Sequence, residues 1–349
     1  MSETRNEPVF GRTHPPDEAW LSRALPEDPI DFDRPIVDPH LHFWDRPGNP
    51  YLLGTFARDL AESGHNVEAT IAIECNAMYR QHGPEHLKSV GETEFAASIY
   101  EEASSNASMR CSVAAGIVGY ADLTRGALTR KTLEAHIEAG KGRFRAVRQS
   151  AKWDEAPTVR GTGGPGRKGL YLEPSFHDGL DMLTRLGLSF EASVFHPQIA
   201  DVVTLARAHP EARIVLIHSG SPVGHGPYAS RGNEIYAHWL SSMKALAACS
   251  NVSVKLGGIL MHIGSFDFTV AERPPTSEEL AEQWRPFIEP CIELFGAGRC
   301  MASSNFPVDK AAFGYRTLWN MYKRIAATCS DDEKTALFSG TARRVYRVV

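Results

Sequence analysis

Two histidines separated by one residue, His40 and His42, stand at the end of a short apolar run that begins at Ile36. Side chains alternate across a β-strand, so both imidazoles would point to the same face. Such a pair can bind a divalent metal ion or a carboxylate-rich ligand. An arbitrary His-x-His is about as often a pair of packed or surface histidines, so the rest of the chain has to decide between these interpretations.

Polar, mostly ionisable side chains also follow other apolar runs of the chain. If these runs are parallel strands of one barrel, their carboxyl ends meet at a single mouth. Titratable groups at nearly every strand end are hard to explain as core packing, because unpaired buried charge is costly. We therefore expect one active site, formed by His40, His42, Glu74, Arg145, Arg148, Glu191, His196, His218, Lys255, Asn305 and Asp309.

The elements that must position these residues follow one repeating pattern. Short β-branched runs alternate with longer segments of helical spacing, which is typical of βα units and a parallel sheet. Eight such units predict an α/β fold, a (β/α)8 TIM barrel. A doubly wound open sheet is the alternative, but the glycine-rich turn expected after its first strand is missing. The predicted strands are 36–42, 69–75, 111–118, 144–149, 188–195, 213–218, 252–257 and 299–306.

The domain organisation predicted from this pattern is an N-terminal arm over residues 1–34 and one barrel over residues 35–349. The arm is polar, contains prolines and has no sustained period. Long loops are expected after strands 4, 6 and 7, where barrel enzymes build substrate contacts. The glycine-rich segment 160–167 lies in the first of these loops, and its spacing matches no phosphate loop.

Composition narrows the class of protein. The chain has 349 residues, of which 42% are hydrophobic and 23% charged, and its net charge is −5. These values suit one large globular domain and give no sign of a nucleic-acid surface. No segment resembles a signal peptide or a membrane span, and the six cysteines lack Cys-x-x-Cys spacing. We expect a cytoplasmic protein with no nucleic-acid or membrane partner; the sequence leaves a homo-oligomer open.

Three motifs in order along the chain carry a family resemblance. His40-Leu-His42 on strand one, His218 ending strand six, and Met301-Ala-Ser-Ser-Asn-Phe-Pro307 at strand eight resemble the amidohydrolase superfamily. The chain is most similar to the branch of TIM-barrel metal-dependent hydrolases that contains 2-pyrone-4,6-dicarboxylate hydrolase and sugar lactonases. Segments 144–149, 251–258 and 336–342 match as well, so the resemblance covers roughly residues 35 to 347.

The chain departs from this family pattern at two positions. The resemblance implies a water-activating Asp at strand eight, where this chain has Asn305. An amide neither accepts a proton as a base nor supplies an anionic metal ligand. Arg145 and Arg148 occupy strand four, which carries the metal-bridging lysine of binuclear members. A binuclear centre is therefore not expected. One Zn²⁺ ion bound by His40, His42 and His218 stays open, as does a metal-free site.

These residues predict a hydrolase that acts on a lactone or a related carboxylic ester or amide. The histidines would polarise the scissile carbonyl, and Arg145, Arg148 and Lys255 would anchor an anionic substrate. His196 is a further candidate for substrate contact. Asp309 is the candidate base; Glu74 and Glu191 are alternatives, which could instead hold histidine tautomers.

Two other functions compete with hydrolysis. One is metal-dependent decarboxylation of an aromatic or unsaturated acid, a reaction that the wider superfamily implies and that requires a firmly bound divalent ion. The other is a barrel that still binds ligands but has lost its chemistry through Asn305. Metal content separates the first of these from hydrolysis, and turnover on a panel of lactones and acids separates the second.

Overall fold

Eight parallel strands alternate with helices in the computed structural model, which describes residues 15–160, 166–258 and 271–349. Each strand pairs with the next one in sequence, and Leu41 on the first strand also pairs with Phe306 beyond the last, so the sheet closes. The predicted TIM barrel is confirmed. Its strands are β1 (Ile36–Leu41), β2 (Val67–Ile73), β3 (Ser112–Gly119), β4 (Phe144–Ser150), β5 (Ser189–Ser193), β6 (Ile214–Leu216), β7 (Val252–Lys255) and β8 (Cys300–Met301).

A helix follows each strand and covers the outside of the barrel. In the helix after β4, Phe176, Leu180 and Leu183 are all buried, as their spacing predicts. The helix bounds are α1 (Leu53–Ser63), α2 (Val90–Ser105), α3 (Ala127–Ala139), α4 (Pro174–Arg185), α5 (Ile199–Ala208), α6 (Gly232–Ala247), α7 (Ser277–Phe295) and α8 (Tyr315–Ile325).

Strand eight is much shorter than the predicted segment 299–306. It pairs with β7 only at Cys300 and Met301. Beyond it the backbone forms other hydrogen bonds: Ser304 N donates to Asp38 Oδ1 at 3.0 Å, and Asn305 N donates to His40 O at 2.9 Å. The segment after β8 therefore joins the end of β1 instead of continuing the ladder.

The barrel interior is apolar at the end opposite the mouth. Small and branched side chains from the strands form one cluster there with the C-terminal helix Thr341–Tyr346. Tyr346 of this helix is fully buried. The apolar end of the barrel is thus filled by side chains, which leaves the carboxyl ends of the strands as the place for polar chemistry.

The described part of the predicted arm lies along α8. Ile30 N donates to Asn320 Oδ1 at 2.8 Å, and Lys323 Nζ donates to Asp31 O at 2.6 Å. Residues 1–14 lie outside the described residues, as do 161–165 and 259–270 in the predicted loops after strands 4 and 7. In the described residues, no helix combines the length and apolar character of a membrane span.

The buried Asp38 carboxylate provides a test of how the barrel closes. It accepts hydrogen bonds from Ser304 N and from the Tyr315 hydroxyl at 2.8 Å. Asp38→Ala leaves these donors without an acceptor, so we expect the free energy of unfolding to fall by about 3 kcal/mol. Asp45→Ala, at an exposed position nearby, is the matched control. Equal urea midpoints for the two variants would contradict this account of closure.

Candidate active site

Three buried histidines meet at the carboxyl end of the barrel. His40 lies in β1, His42 follows β1, and His218 begins a short 3₁₀ turn after β6. The His40 ring centroid is 4.9 Å from that of His42 and 4.6 Å from that of His218. The two-residue spacing of His40 and His42 at the end of β1 and the closure of the barrel together bring these imidazoles into one cluster.

All three imidazoles are neutral at neutral pH. Burial and the nearby Arg148 lower the pKa of His42 to about 3. Burial lowers the pKa values of His40 and His218 well below the ordinary range, and positively charged neighbours lower them further. The strongest charge effects on the cluster therefore come from cations.

Backbone carbonyls fix the tautomers of two of these rings. His42 Nδ1 lies 2.9 Å from Ile73 O, and His218 Nδ1 lies 2.7 Å from Gly257 O. Each Nδ1 must carry the proton to donate to a carbonyl, so each Nε2 is left without a proton. His40 differs, because its Nε2 lies 3.3 Å from Arg148 Nη1. Its buried Nδ1 has no hydrogen-bond partner within the described ranges.

Arg148 and Glu74 form a partly enclosed ion pair beside His40. Arg148 Nε donates to Glu74 Oε1 at 2.6 Å, and Arg148 Nη2 also donates to the Glu74 backbone oxygen. Only 12% and 9% of the two side chains are exposed. The guanidinium is thus held by the protein itself, which differs from the expectation that its fork is open to a substrate carboxylate.

A second ion pair lies fully buried in the barrel. Lys255 Nζ donates to Glu191 Oε1 at 2.7 Å, and the Tyr346 hydroxyl donates to the same oxygen. Neither Lys255 nor Glu191 is exposed. Burial lowers the pKa of Lys255 to about 8, against the opposing effect of Glu191. Lys255 lowers the pKa of nearby His40, but the burial of the pair gives a substrate no access to the ammonium group.

Asn305 and Asp309 complete the cluster from the segment after β8. Asn305 Nδ2 donates to Asp309 Oδ1 at 2.9 Å, and a hydrogen bond between the Asn305 side chain and His42 raises the pKa of that histidine. Burial raises the pKa of Asp309 to about 7, against the effect of hydrogen bonds from Asn305 and the Gly258 backbone. Asp309 is therefore a carboxyl group that changes charge near neutral pH.

The two remaining predicted residues lie apart from the cluster. Arg145 is at the amino-terminal end of β4, where its Nη1 donates to Gly142 O at 2.6 Å. The structure does not bring it to the mouth, so the geometry departs from the predicted role in substrate binding. His196 follows β5, and its Nδ1 accepts a hydrogen bond from Val223 N at 3.2 Å. Its contacts hold the loop after β6.

Two residues that the sequence analysis did not select also belong to this region. Asp38 precedes His40 by two residues, so strand alternation puts it on the same face. A charged residue within an apolar strand is a sequence signal that could have identified it. Lys152 lies two residues after β4 and is only 6% exposed. Burial and the charge of Arg148 lower the pKa of Lys152 to about 7. No local pattern distinguished it from the exposed Lys168 of the same loop.

The comparisons with known proteins agree with this fold. The chain belongs to the amidohydrolase family, whose model matches residues 37–348. It is therefore a hydrolase, and the family resemblance of the sequence motifs is confirmed. Uncharacterized protein y4mH of Sinorhizobium fredii is 30% identical over 331 residues, which cover 90% of this chain and 99% of that protein.

A relative of known activity and a solved structure give further likenesses. L-fucono-1,5-lactonase of Burkholderia ambifaria is 25% identical over 339 residues, covering 89% of this chain and 95% of the lactonase. The crystal structure of an amidohydrolase from Burkholderia multivorans with bound zinc has a TM-score of 0.67 at 23% identity. The match covers 90% of this chain and 99% of that amidohydrolase chain, and it shows that the two share a fold.

Metal dependence is typical of this family, so we tested the fit of zinc to His40, His42 and His218. Two features favour it, since all three rings are neutral and two have Nδ1 bound to carbonyls, as metal-ligating histidines commonly do. Two oppose it, because Arg148 contacts Nε2 of His40 and an amide replaces the anionic ligand. Among the residues described, no group of three or more His, Cys, Asp or Glu is placed to hold a metal ion. The fit is therefore incomplete.

Gly258 tests whether the position of His218 matters for activity. At this glycine φ is +73°, and an added Cβ would lie 2.0 Å from His218 Nδ1. Gly258→Ala must displace the imidazole, so we expect turnover to fall about 10²-fold, as misplacement of a reacting group by about 1 Å can do. The control is Gly298→Ala, where an added Cβ meets nothing within 4 Å. Equal activity of the two variants would contradict the role of His218.

Proposed function

We propose that this hydrolase opens a lactone, or cleaves a related carboxylic ester or amide, and that its substrate carries a negative charge. One observation supports this proposal most directly: Asp309, a carboxyl with a pKa of about 7, is hydrogen-bonded through Asn305 to the neutral histidine cluster. The 25% identity to L-fucono-1,5-lactonase over nearly the whole chain supports a lactone as the substrate class.

Asp309 is the group proposed to activate water. A general base works best when its pKa lies near the working pH, because it is then both ionised and basic enough to accept a proton. Asn305 donates to one carboxylate oxygen and so fixes the orientation of Asp309. The proton lost by the attacking water goes to the Asp309 carboxylate. The amide at position 305 thus orients a base four residues away instead of being the base.

The His218 imidazole is proposed to hold the attacking water, because the His42 ring already bonds to Ile73 and to the Asn305 side chain. With Nδ1 of His42 and His218 donating to carbonyls, their Nε2 atoms are acceptors and cannot donate to a developing oxyanion. Stabilisation of that oxyanion comes instead from the positive charges at the cluster. This differs from the sequence-based expectation that the histidines themselves polarise the carbonyl. Because the zinc fit is incomplete, no step here passes through a metal.

Asp309→Asn removes the proposed base with little change in shape. Because general-base catalysis contributes about 10²- to 10⁴-fold, we expect kcat for lactone hydrolysis to fall by a factor in that range. Asp332→Asn, at an exposed position, should keep wild-type turnover. Unchanged kcat in Asp309→Asn would remove this residue from the mechanism.

The pH dependence of hydrolysis provides an independent check. Only the ionised carboxylate accepts a proton, so kcat/KM should rise with pH and level off above about 7, where Asp309 is ionised. In Asp309→Asn this rise should be absent. A wild-type rate that falls as pH increases from 5 to 7 would show that a protonated group is required instead.

Metal removal separates hydrolysis from the alternative of decarboxylation. We expect purified protein treated with a chelator to retain its lactone turnover, since the proposed steps use protein groups alone. Metal analysis before and after treatment provides the control. Loss of turnover that added Zn²⁺ restores would overturn the metal-independent mechanism, and metal-dependent release of CO₂ from an aromatic acid would favour the decarboxylase.

A further inference from the structure

The backbone turn after β2 is held by a carboxyl group from the neighbouring helix α2. Glu92 lies in the first turn of α2 and is only 7% exposed. Its Oε1 atom accepts hydrogen bonds from Cys75 N at 2.8 Å, from Ala77 N at 3.1 Å and from Cys75 Sγ at 3.3 Å. One carboxyl oxygen thus fixes the backbone directly after Glu74.

This turn has a backbone conformation that requires such support. Asn76 has a φ of 58° and Met78 a φ of 54°, so two residues other than glycine adopt the left-handed region. That region is unfavourable for residues with a Cβ, and it persists where surrounding contacts over-determine it. The start of α2 packs directly on the turn, since a Cβ added to Gly91 would lie 2.6 Å from Met78 O. Helix α2 and its Glu92 side chain therefore determine where the turn lies.

The peptide group between Glu74 and Cys75 is bound on both of its polar sides. Its N–H donates to Glu92 Oε1, and its carbonyl oxygen accepts from Arg148 Nη2. Arg148 Nε also donates to the Glu74 carboxylate at 2.6 Å, and Arg148 Nη1 lies 3.3 Å from His40 Nε2. Because a peptide group is planar and rigid, a shift on its N–H side would also move the guanidinium. A continuous series of contacts thus leads from Glu92 to the histidine cluster.

We propose that Glu92 is a positioning residue: it holds the peptide group after Glu74 and so keeps the Arg148 guanidinium beside the histidine cluster. This inference rests on the proposed hydrolysis, in which Arg148 supplies one of the positive charges that stabilise the oxyanion. Glu92 acts on the reaction through the backbone that it holds. Its substitution should therefore change the position of one particular guanidinium, beyond any effect on overall stability.

This role requires a hydrogen-bond acceptor at position 92 but not a negative charge. Burial and the charge of Glu74 raise the pKa of Glu92 to about 8, so the carboxyl holds a proton at neutral pH. Its Oε2 atom is buried and has no hydrogen-bond partner in the part of the chain that the structure describes. Glu92→Gln therefore keeps the accepting oxygen at nearly the same shape, whereas Glu92→Leu removes it.

Lactone turnover should separate these two variants. The oxyanion develops only in the transition state, so displacement of Arg148 should lower kcat and leave KM nearly unchanged. We expect kcat to fall about 10²-fold in Glu92→Leu, as misplacement by about 1 Å can do, and to stay near the wild-type value in Glu92→Gln. Glu102→Leu, the same substitution at an exposed position of α2, is the matched control. Wild-type kcat in Glu92→Leu, or an equal loss in Glu92→Gln, would overturn the proposal.

An NMR measurement of hydrogen exchange tests the position of Arg148 without any reaction. Only 12% of the Arg148 side chain is exposed, so its Nε–H should exchange slowly with solvent. We expect about 10- to 100-fold faster exchange in Glu92→Leu and the wild-type rate in Glu92→Gln. Arg148→Lys lacks this proton and identifies its signal. Unchanged exchange in Glu92→Leu would overturn the proposal.

An internal reference separates positioning from a general loss of stability. Arg299 Nε, which donates to Phe295 O at 3.0 Å before β8, should keep its wild-type exchange rate in Glu92→Leu. Equal acceleration at both arginines would show a purely structural role and overturn the proposal. Should Glu92→Leu fail to fold, Glu92→Asp is measured instead, because its carboxyl is one methylene short of the same donors. Faster exchange confined to Arg148, without lactone turnover by wild type, would support the positioning and overturn only the proposed reaction.

Discussion

The joint between the first strand and the segment after the last one determines the geometry of the whole site. Asn305 N donates to His40 O at 2.9 Å, and His42 N donates to Phe306 O at 2.8 Å. The backbone bonds that close the barrel thus belong to the same residues whose side chains form the histidine cluster. Asp38 reinforces this joint by binding Ser304. The same hydrogen bonds close the barrel and hold the site residues, which gives the reacting groups rigid support.

Burial gives the groups at this joint distinct protonation states. It keeps the imidazoles neutral, since it penalises their charged form, and it raises the pKa of the Asp309 carboxyl to about 7. The cations Arg148 and Lys255 are paired with the carboxylates of Glu74 and Glu191. A carboxyl that titrates near neutrality beside neutral imidazoles and positive charge is a combination suited to water activation on an anionic substrate.

The sequence predicted most of the fold and the centre of the site, but not which groups pair with each charged side chain. Periodicity indicated all eight βα units, and the spacing of His40 and His42 indicated a shared face. Arg145 and Arg148 were both predicted at the mouth, yet Arg145 donates to Gly142 before β4 and Arg148 donates to Glu74, because the pattern of one strand does not show which partners its side chains meet. Lys152 was missed because its burial depends on Phe195, which is distant in sequence.

The substitution Asn305→Asp tests the division of roles between residues 305 and 309 most directly. The Asn305 amide nitrogen lies 2.9 Å from Asp309 Oδ1, so this substitution would place a second carboxyl group beside Asp309. Repulsion between the two carboxylates would raise the apparent pKa of the pair. Our account predicts that the rise of kcat/KM with pH moves above its wild-type midpoint of about 7. An unchanged profile would contradict it, because Asp309 would then not be the group that sets the pH dependence. Higher activity at lower pH would also contradict it, because residue 305 would then act as the base.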